Sequence, residues 1–187
     1  MQKELLPLKK IKPWIAKNKV VDVIIFGSSQ RGNIKPKDID LCIILKEEQE
    51  QQSINLIYSL AKITDVFAFK TQINALTTVA FISGNTLART LLMEGYSIKH
   101  DKKFCAQFGF ENKSLFVYTL KHFSSVERVK FHYALKGRYG SKGILKQAEG
   151  MFMGTGTIIL PTNKEEILKE FLDKWDVKYT LYKTLMG

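Results

Sequence analysis

Short β-branched runs alternate with helical periodicities along the first hundred residues. Residues 3–18 form a helix interrupted by Pro7 and Pro13, with Leu5, Leu6, Leu8, Trp14 and Ile15 as its apolar contacts. Residues 20–26 (VVDVIIF) and 38–45 (DIDLCIIL) are short and β-branched, which predicts two buried strands. Between them, Gly32 and Pro36 limit residues 29–37 to a brief helix at most. Over residues 48–62, Ile54, Leu56, Ile57, Leu60 and Ala61 fall at helical spacing, so this helix covers the sheet with its apolar stripe. Residues 63–69 (ITDVFAF) read as a third strand. Residues 73–95 read as largely helical, broken at Gly84 and stopped at Gly95, with a short strand at 96–98.

The character changes after residue 104. Residues 113–148 read as helical and aromatic-rich, broken over 137–143. Residues 158–161 predict a strand, and Asn163 with Glu166 three positions on predicts a capped helix running to Trp175. Residues 177–185 (VKYTLYKTL) alternate and predict a final strand. Gly154, Thr155 and Gly156 lack a third glycine and a following helix, so they make a β-turn and not a dinucleotide loop. The expected fold is α+β: a mixed sheet flanked by helices over residues 1–104, then a basic helical region with a strand–helix–strand unit over 105–187.

Composition narrows the class. Apolar residues make up 45% and charged residues 25%, so disorder and fibrous folds are excluded. Cys42 and Cys105 are far apart, and His100, His122 and His132 lack metal-ligand spacing, which argues against a disulfide scaffold or a structural zinc site. No apolar run has the length of a membrane span, and Pro7, Lys9 and Lys10 break up the N-terminal apolar stretch. These features predict a soluble cytoplasmic protein, monomeric or oligomeric, with no membrane partner.

The net charge of +11 is unevenly spread. Residues 1–46 hold ten Lys plus Arg against four Asp plus Glu, and residues 96–150 hold eleven against four, while the intervening and final segments hold no excess. Two basic blocks suit a polyanionic partner, nucleic acid or a nucleoside triphosphate, although a lysine-rich solvated surface has the same composition. Within the second block, Lys136, Arg138, Tyr139 and Lys142 sit in and beside a glycine-punctuated loop and are candidates for contact with an acceptor strand. Phe123, Phe131 and Tyr133 read as the core face of the preceding helix.

The chemistry concentrates in residues 24–45 (IIFGSSQRGNIKPKDIDLCIIL). Residues two apart on a strand share a face, so Asp38 and Asp40 project together. Two carboxylates about 4 Å apart repel by roughly 4 kcal/mol at a partly buried site, and a hard divalent cation relieves that repulsion. Gly27 lets backbone amides approach a phosphate, and Ser28 adds a hydroxyl donor. Carboxylates for a metal and a turn for phosphates, in order between two β-branched strands, together describe a nucleoside-triphosphate site.

These residues resemble the nucleotidyltransferase fold of the DNA polymerase β superfamily, in particular its minimal nucleotidyltransferase branch. The resemblance rests on Gly27, Ser28, Arg31, Gly32, Asp38 and Asp40 and spans roughly residues 20–100. It implies two Mg²⁺ ions (or Mn²⁺), transfer of a nucleoside monophosphate from a triphosphate to a hydroxyl, and release of pyrophosphate. It also implies a third carboxylate on a neighbouring strand. Asp65 is the best match, as metal ligand and general base, with Glu94 and Asp101 as fallbacks. Arg31 is placed to contact phosphate or the surface. The acceptor is an RNA end, favoured by the basic blocks, or a protein. The alternative is a non-catalytic or regulatory module, since members resembling the minimal branch act as antitoxin partners of small helical toxins.

Overall fold

The computed structural model describes residues 8–27, 38–66, 70–138 and 142–187. The chain divides into two compact units, Met1–Gly109 and Phe110–Gly187.

The first unit carries a five-stranded sheet of order β3-β2-β1-β4-β5. Helix α1 (Leu8–Asn18) precedes β1 (Asp22–Phe26), and it continues through Pro13 instead of breaking there. Strand β2 (Asp38–Leu45) runs antiparallel to β1, with Phe26 opposite Asp40 and Asp22 opposite Ile44. A 3-10 turn at Glu47–Gln52 leads into α2 (Ser53–Thr64). Strand β3 (Lys70–Thr77) pairs parallel with β2, as the connection through a helix requires. Helices α3 (Thr78–Ile82) and α4 (Thr86–Glu94) follow, then β4 (Tyr96–Ser97), β5 (Lys102–Lys103) and a 3-10 turn at Phe104–Phe108.

Both faces of the sheet are covered. Ile39, Leu41, Ile43 and Leu45 pack with Val23 and Ile25 beneath Ile11, Trp14, Leu56 and Leu60 of α1 and α2. Cys42 and Ile44 pack with Ile24 and Phe26 against Leu76, Ala88, Leu91 and Phe104 on the opposite side. Strand β1 is buried along its whole length, so Asp22, 2% exposed, needs its carboxylate satisfied. Ser97 Oγ donates to it at 2.5 Å, and the Lys99 amide and Gln107 Nε2 donate at 3.1 and 3.3 Å, which ties β1 to β4 and to the segment after it.

The third strand is displaced from its predicted position. Ile63 and Thr64 belong to α2, whose buried residues Leu56, Leu60 and Thr64 recur every fourth position, and Asp65 caps that helix. Residues 67–69 lie outside the described residues. The strand is KTQINALT: Ile73 and Ala75 pack on the α1/α2 side, where the Thr71 and Thr64 hydroxyls meet at 2.9 Å. Lys70, Gln72 and Asn74 are exposed on the other face. Residues 73–77 are therefore strand, and the helical part begins at Thr78.

The second unit is a four-stranded antiparallel sheet of order β7-β8-β6-β9 with helices on its core face. Strand β6 (Glu111–Tyr118) occupies the start of the segment predicted to be helical. Its alternating buried residues are Asn112, Ser114, Phe116 and Tyr118, so two polar core positions disguise the period of two. Helices α5 (Ser125–Lys136) and α6 (Ile144–Gln147) follow. Strands β7 (Met151–Gly154) and β8 (Thr157–Pro161) then form a hairpin whose turn includes Gly156 at φ +72. Helix α7 (Glu165–Lys174) and β9 (Tyr179–Met186) complete the unit. The cap residue of α7 is Lys164, without a side-chain cap, and Asn163 lies in the preceding 3-10 turn. The capping box belongs to α5, where Ser124 and Glu127 satisfy each other's backbone amides.

Glu165 anchors α7 to the sheet. It accepts from Ser114 Oγ at 2.6 Å and from Lys169 at 3.2 Å, and it pairs with Lys183 on β9. Burial pushes its carboxyl up, but the hydrogen bonds from Lys183 and Ser114 outweigh burial and hold it below the ordinary glutamate range. A carboxyl depressed in the folded state stabilises above the unfolded pKa of about 4.3 and loses that contribution as pH falls through the folded value. The urea midpoint of this unit, followed by Trp175 fluorescence in a Trp14→Phe background, should fall between pH 5 and 3 (an acid range set at about the ordinary glutamate pKa). Glu165→Gln should be less stable at pH 7 and should show a shallower acid dependence.

Among the described residues no helix is long and apolar enough to cross a membrane.

Candidate functional site

The site is set by the end of β2. Ile39 and Leu41 bury into the α1/α2 side, which leaves Asp38 and Asp40 half-buried on the opposite face. Further along the same face, Cys42 and Ile44 enter the other core, so the two carboxylates stand where that face opens to solvent. The Cys42 thiol is pushed up to about 12 by burial, which removes it as a nucleophile.

Gly27 directly follows Phe26, the partner of Asp40. Its φ is +77, and a Cβ built on it would overlap Oδ2 of Asp40 and lie 3.1 Å from its Cγ. The Asp40 carboxylate thus occupies the space a side chain at position 27 would need. The glycine turn and the acidic pair, ten or more residues apart in sequence, form one surface.

Strand β3 borders the pair on its other side. Lys70 is opposite Asp38 and Gln72 is opposite Asp40, at the roughly 4.8 Å spacing of paired strands. By alternation both share the face of the two carboxylates. Sequence reasoning missed these positions because it gave residues 63–69 to the strand.

Asp65, expected as third metal ligand and catalytic base, does not stand on the strand beside the pair, which corrects its predicted placement. It is the exposed C-cap of α2 and precedes β3 by five residues. Among the described residues no group of three His, Cys, Asp or Glu gathers in a metal-binding set. The fallbacks are also elsewhere. Glu94 ends α4, and Asp101 follows β4 and accepts from Tyr96 OH at 2.6 Å. Strand β4 lies across β1 from β2, so neither residue sits on a strand beside the pair. Ser28, Arg31 and Gly32 lie outside the described residues.

The donor set therefore fits one divalent cation. Asp38 and Asp40 offer two carboxylates on one face, which with phosphate oxygens matches the preference of Mg²⁺. A two-ion arrangement needs a further carboxylate, and β3 supplies an ammonium and an amide instead.

In the second unit, Lys136 lies 4.8 Å from the centroid of the Phe152 ring and Arg138 lies 4.7 Å from that of Tyr133. Lys142 is exposed, and its carbonyl accepts from Gln147 at 3.2 Å. Tyr139 lies outside the described residues. Tyr133 is 45% exposed, so it is not on the core face of α5, whereas Phe131 is fully buried and Phe123 packs against it at 5.9 Å. The signal was available: residues two apart on a helix point about 200° away from each other, so Phe131 and Tyr133 cannot both face the core.

Comparison with known proteins gives two matches. The family described as "Polymerase beta, Nucleotidyltransferase" matches residues 9–103. A solved structure titled "Crystal structure of the toxin-antitoxin with AMP-PNP" is similar at 20% identity and a TM-score of 0.37, covering 50% of this chain and 73% of that one. No curated protein matches.

Proposed function

Because the chain belongs to the polymerase β nucleotidyltransferase family, we propose that it transfers a nucleoside monophosphate from a nucleoside triphosphate to a hydroxyl acceptor. The observation that supports this reading is the approach of the Asp40 carboxylate to Gly27, which brings the carboxylate pair next to the glycine that ends β1. Asp38 and Asp40 would hold Mg²⁺. When bound, that ion supplies charge neutralisation for the triphosphate and the departing pyrophosphate. With no side chain, Gly27 would let its backbone approach the phosphate tail. The apolar residues under the pair, Phe26 and Cys42 among them, fix the strand ends so that the carboxylates need little reordering on binding.

RNA is the acceptor class this reading favours. The segment 121–146 holds seven Lys plus Arg against one acidic residue, and Tyr133 with Arg138 forms an exposed aromatic and cationic pair of the kind on which unpaired bases stack. A second reading, a module that binds the triphosphate without transferring it, draws on the absence of Asp and Glu from β3 and on the position of Asp65. Incubation with each α-labelled triphosphate, Mg²⁺ and either total RNA or cell lysate separates these readings. Label in RNA supports terminal transfer, and label in one protein band moves the acceptor to protein. Triphosphate binding without label in either fraction favours the binding module.

A further inference from the structure

We propose that the site takes a single divalent cation and that the Lys70 ammonium provides the positive charge a second ion would bring to the phosphate tail. This deepens the reading above and rests on it. Strand β3 carries no Asp or Glu in any of its eight residues. Its parallel register places Lys70 beside Asp38 and Gln72 beside Asp40, with Ile73 and Ala75 turned into the α1/α2 core. Four polar groups therefore line one face next to each other: two carboxylates, an amide and an ammonium at its edge.

The charges decide the stoichiometry. One divalent ion neutralises the two carboxylates, and Gln72, being neutral, adds no anionic ligand for another. A second divalent ion beside Lys70 would meet a like charge across one strand spacing. The triphosphate still needs cationic partners, and lysine, a compact charge on a flexible stem, suits phosphate oxygens. Lys70 is exposed and Asp38 half-buried, and neither side chain makes a hydrogen bond or ion pair to another described residue, so the ammonium can swing to an incoming phosphate.

The test is Mn²⁺ counting by electron paramagnetic resonance. The full chain is titrated in the presence of saturating β,γ-non-hydrolysable triphosphates of the four bases, with the Asp38→Asn/Asp40→Asn variant as background. Wild type should bind about one ion per chain. Lys70→Asp, which replaces the cation by a third carboxylate on the same face, should bind about two. Lys70→Met should keep one ion and lose about tenfold or more in affinity for the triphosphate. Two ions in wild type, or unchanged affinity in Lys70→Met, overturns the proposal and leaves the nucleotide site standing. If wild type and both Lys70 variants bind neither Mn²⁺ nor triphosphate, this proposal and the reading it rests on both fall.

Discussion

Gly27→Ala should lower metal-dependent triphosphate binding by about a hundredfold or more, the scale on which misplacement of about 1 Å acts at a reacting centre. Two effects converge at this position. The backbone stands at φ +77, where an L side chain is strained by about 1–3 kcal/mol. The new methyl group would also overlap Oδ2 of Asp40, so the carboxylate must leave its place. Phe26 is held in register opposite Asp40 by the β1–β2 ladder, which limits how far the turn can retreat. The loss should therefore appear in nucleotide affinity more than in thermal stability. A Gly27→Ala/Asp40→Gly double variant distinguishes the two contributions. It should recover the stability lost to overlap, retain the part due to the backbone angle, and still fail to bind. Equal nucleotide affinity in wild type and Gly27→Ala would mean that the turn does not face the ligand.

The largest effect on stability should come from Phe131→Ala in the second unit, at about 3–5 kcal/mol. Phe131 is fully buried and is the hub of the aromatic core. Its ring lies 5.3 Å from Phe171, 5.6 Å from Trp175, 5.8 Å from Tyr118 and 5.9 Å from Phe123. These partners come from β6, α7 and the segments flanking it and α5, so collapse into the cavity would have to move several elements at once. Denaturant unfolding followed by Trp175 fluorescence in a Trp14→Phe background should show a much lower midpoint. Tyr133→Ala, on the exposed side of the same helix, should change the midpoint little.

How much of this was readable beforehand depends on the element. β1 and β2 were legible because each is a β-branched run buried on both faces, and the Asp38 and Asp40 pairing follows from strand alternation alone. The superfamily was legible in the same stretch. β3 was obscured because ITDVFAF has stronger β-propensity than KTQINALT, yet the buried Leu56, Leu60 and Thr64 extend α2 into the first two residues of the former segment. Tertiary packing outweighed propensity, and with it moved the placement of Asp65. β6 was hidden because Asn112 and Ser114 occupy core positions, and Ser114 is tolerated there through Glu165, which is distant in sequence. The approach of Asp40 to Gly27 was not readable at all, since it depends on the register of β1 against β2.

The central claim is that Asp38 and Asp40 beside Gly27 hold a metal-bound triphosphate. Isothermal titration of a non-hydrolysable triphosphate into the full chain tests it most directly, with and without Mg²⁺, in wild type and in Asp38→Asn/Asp40→Asn. The account predicts binding to wild type only when Mg²⁺ is present, and no binding to the folded double variant under either condition. Equal binding by wild type and the double variant, or binding to wild type that is indifferent to Mg²⁺, would contradict it.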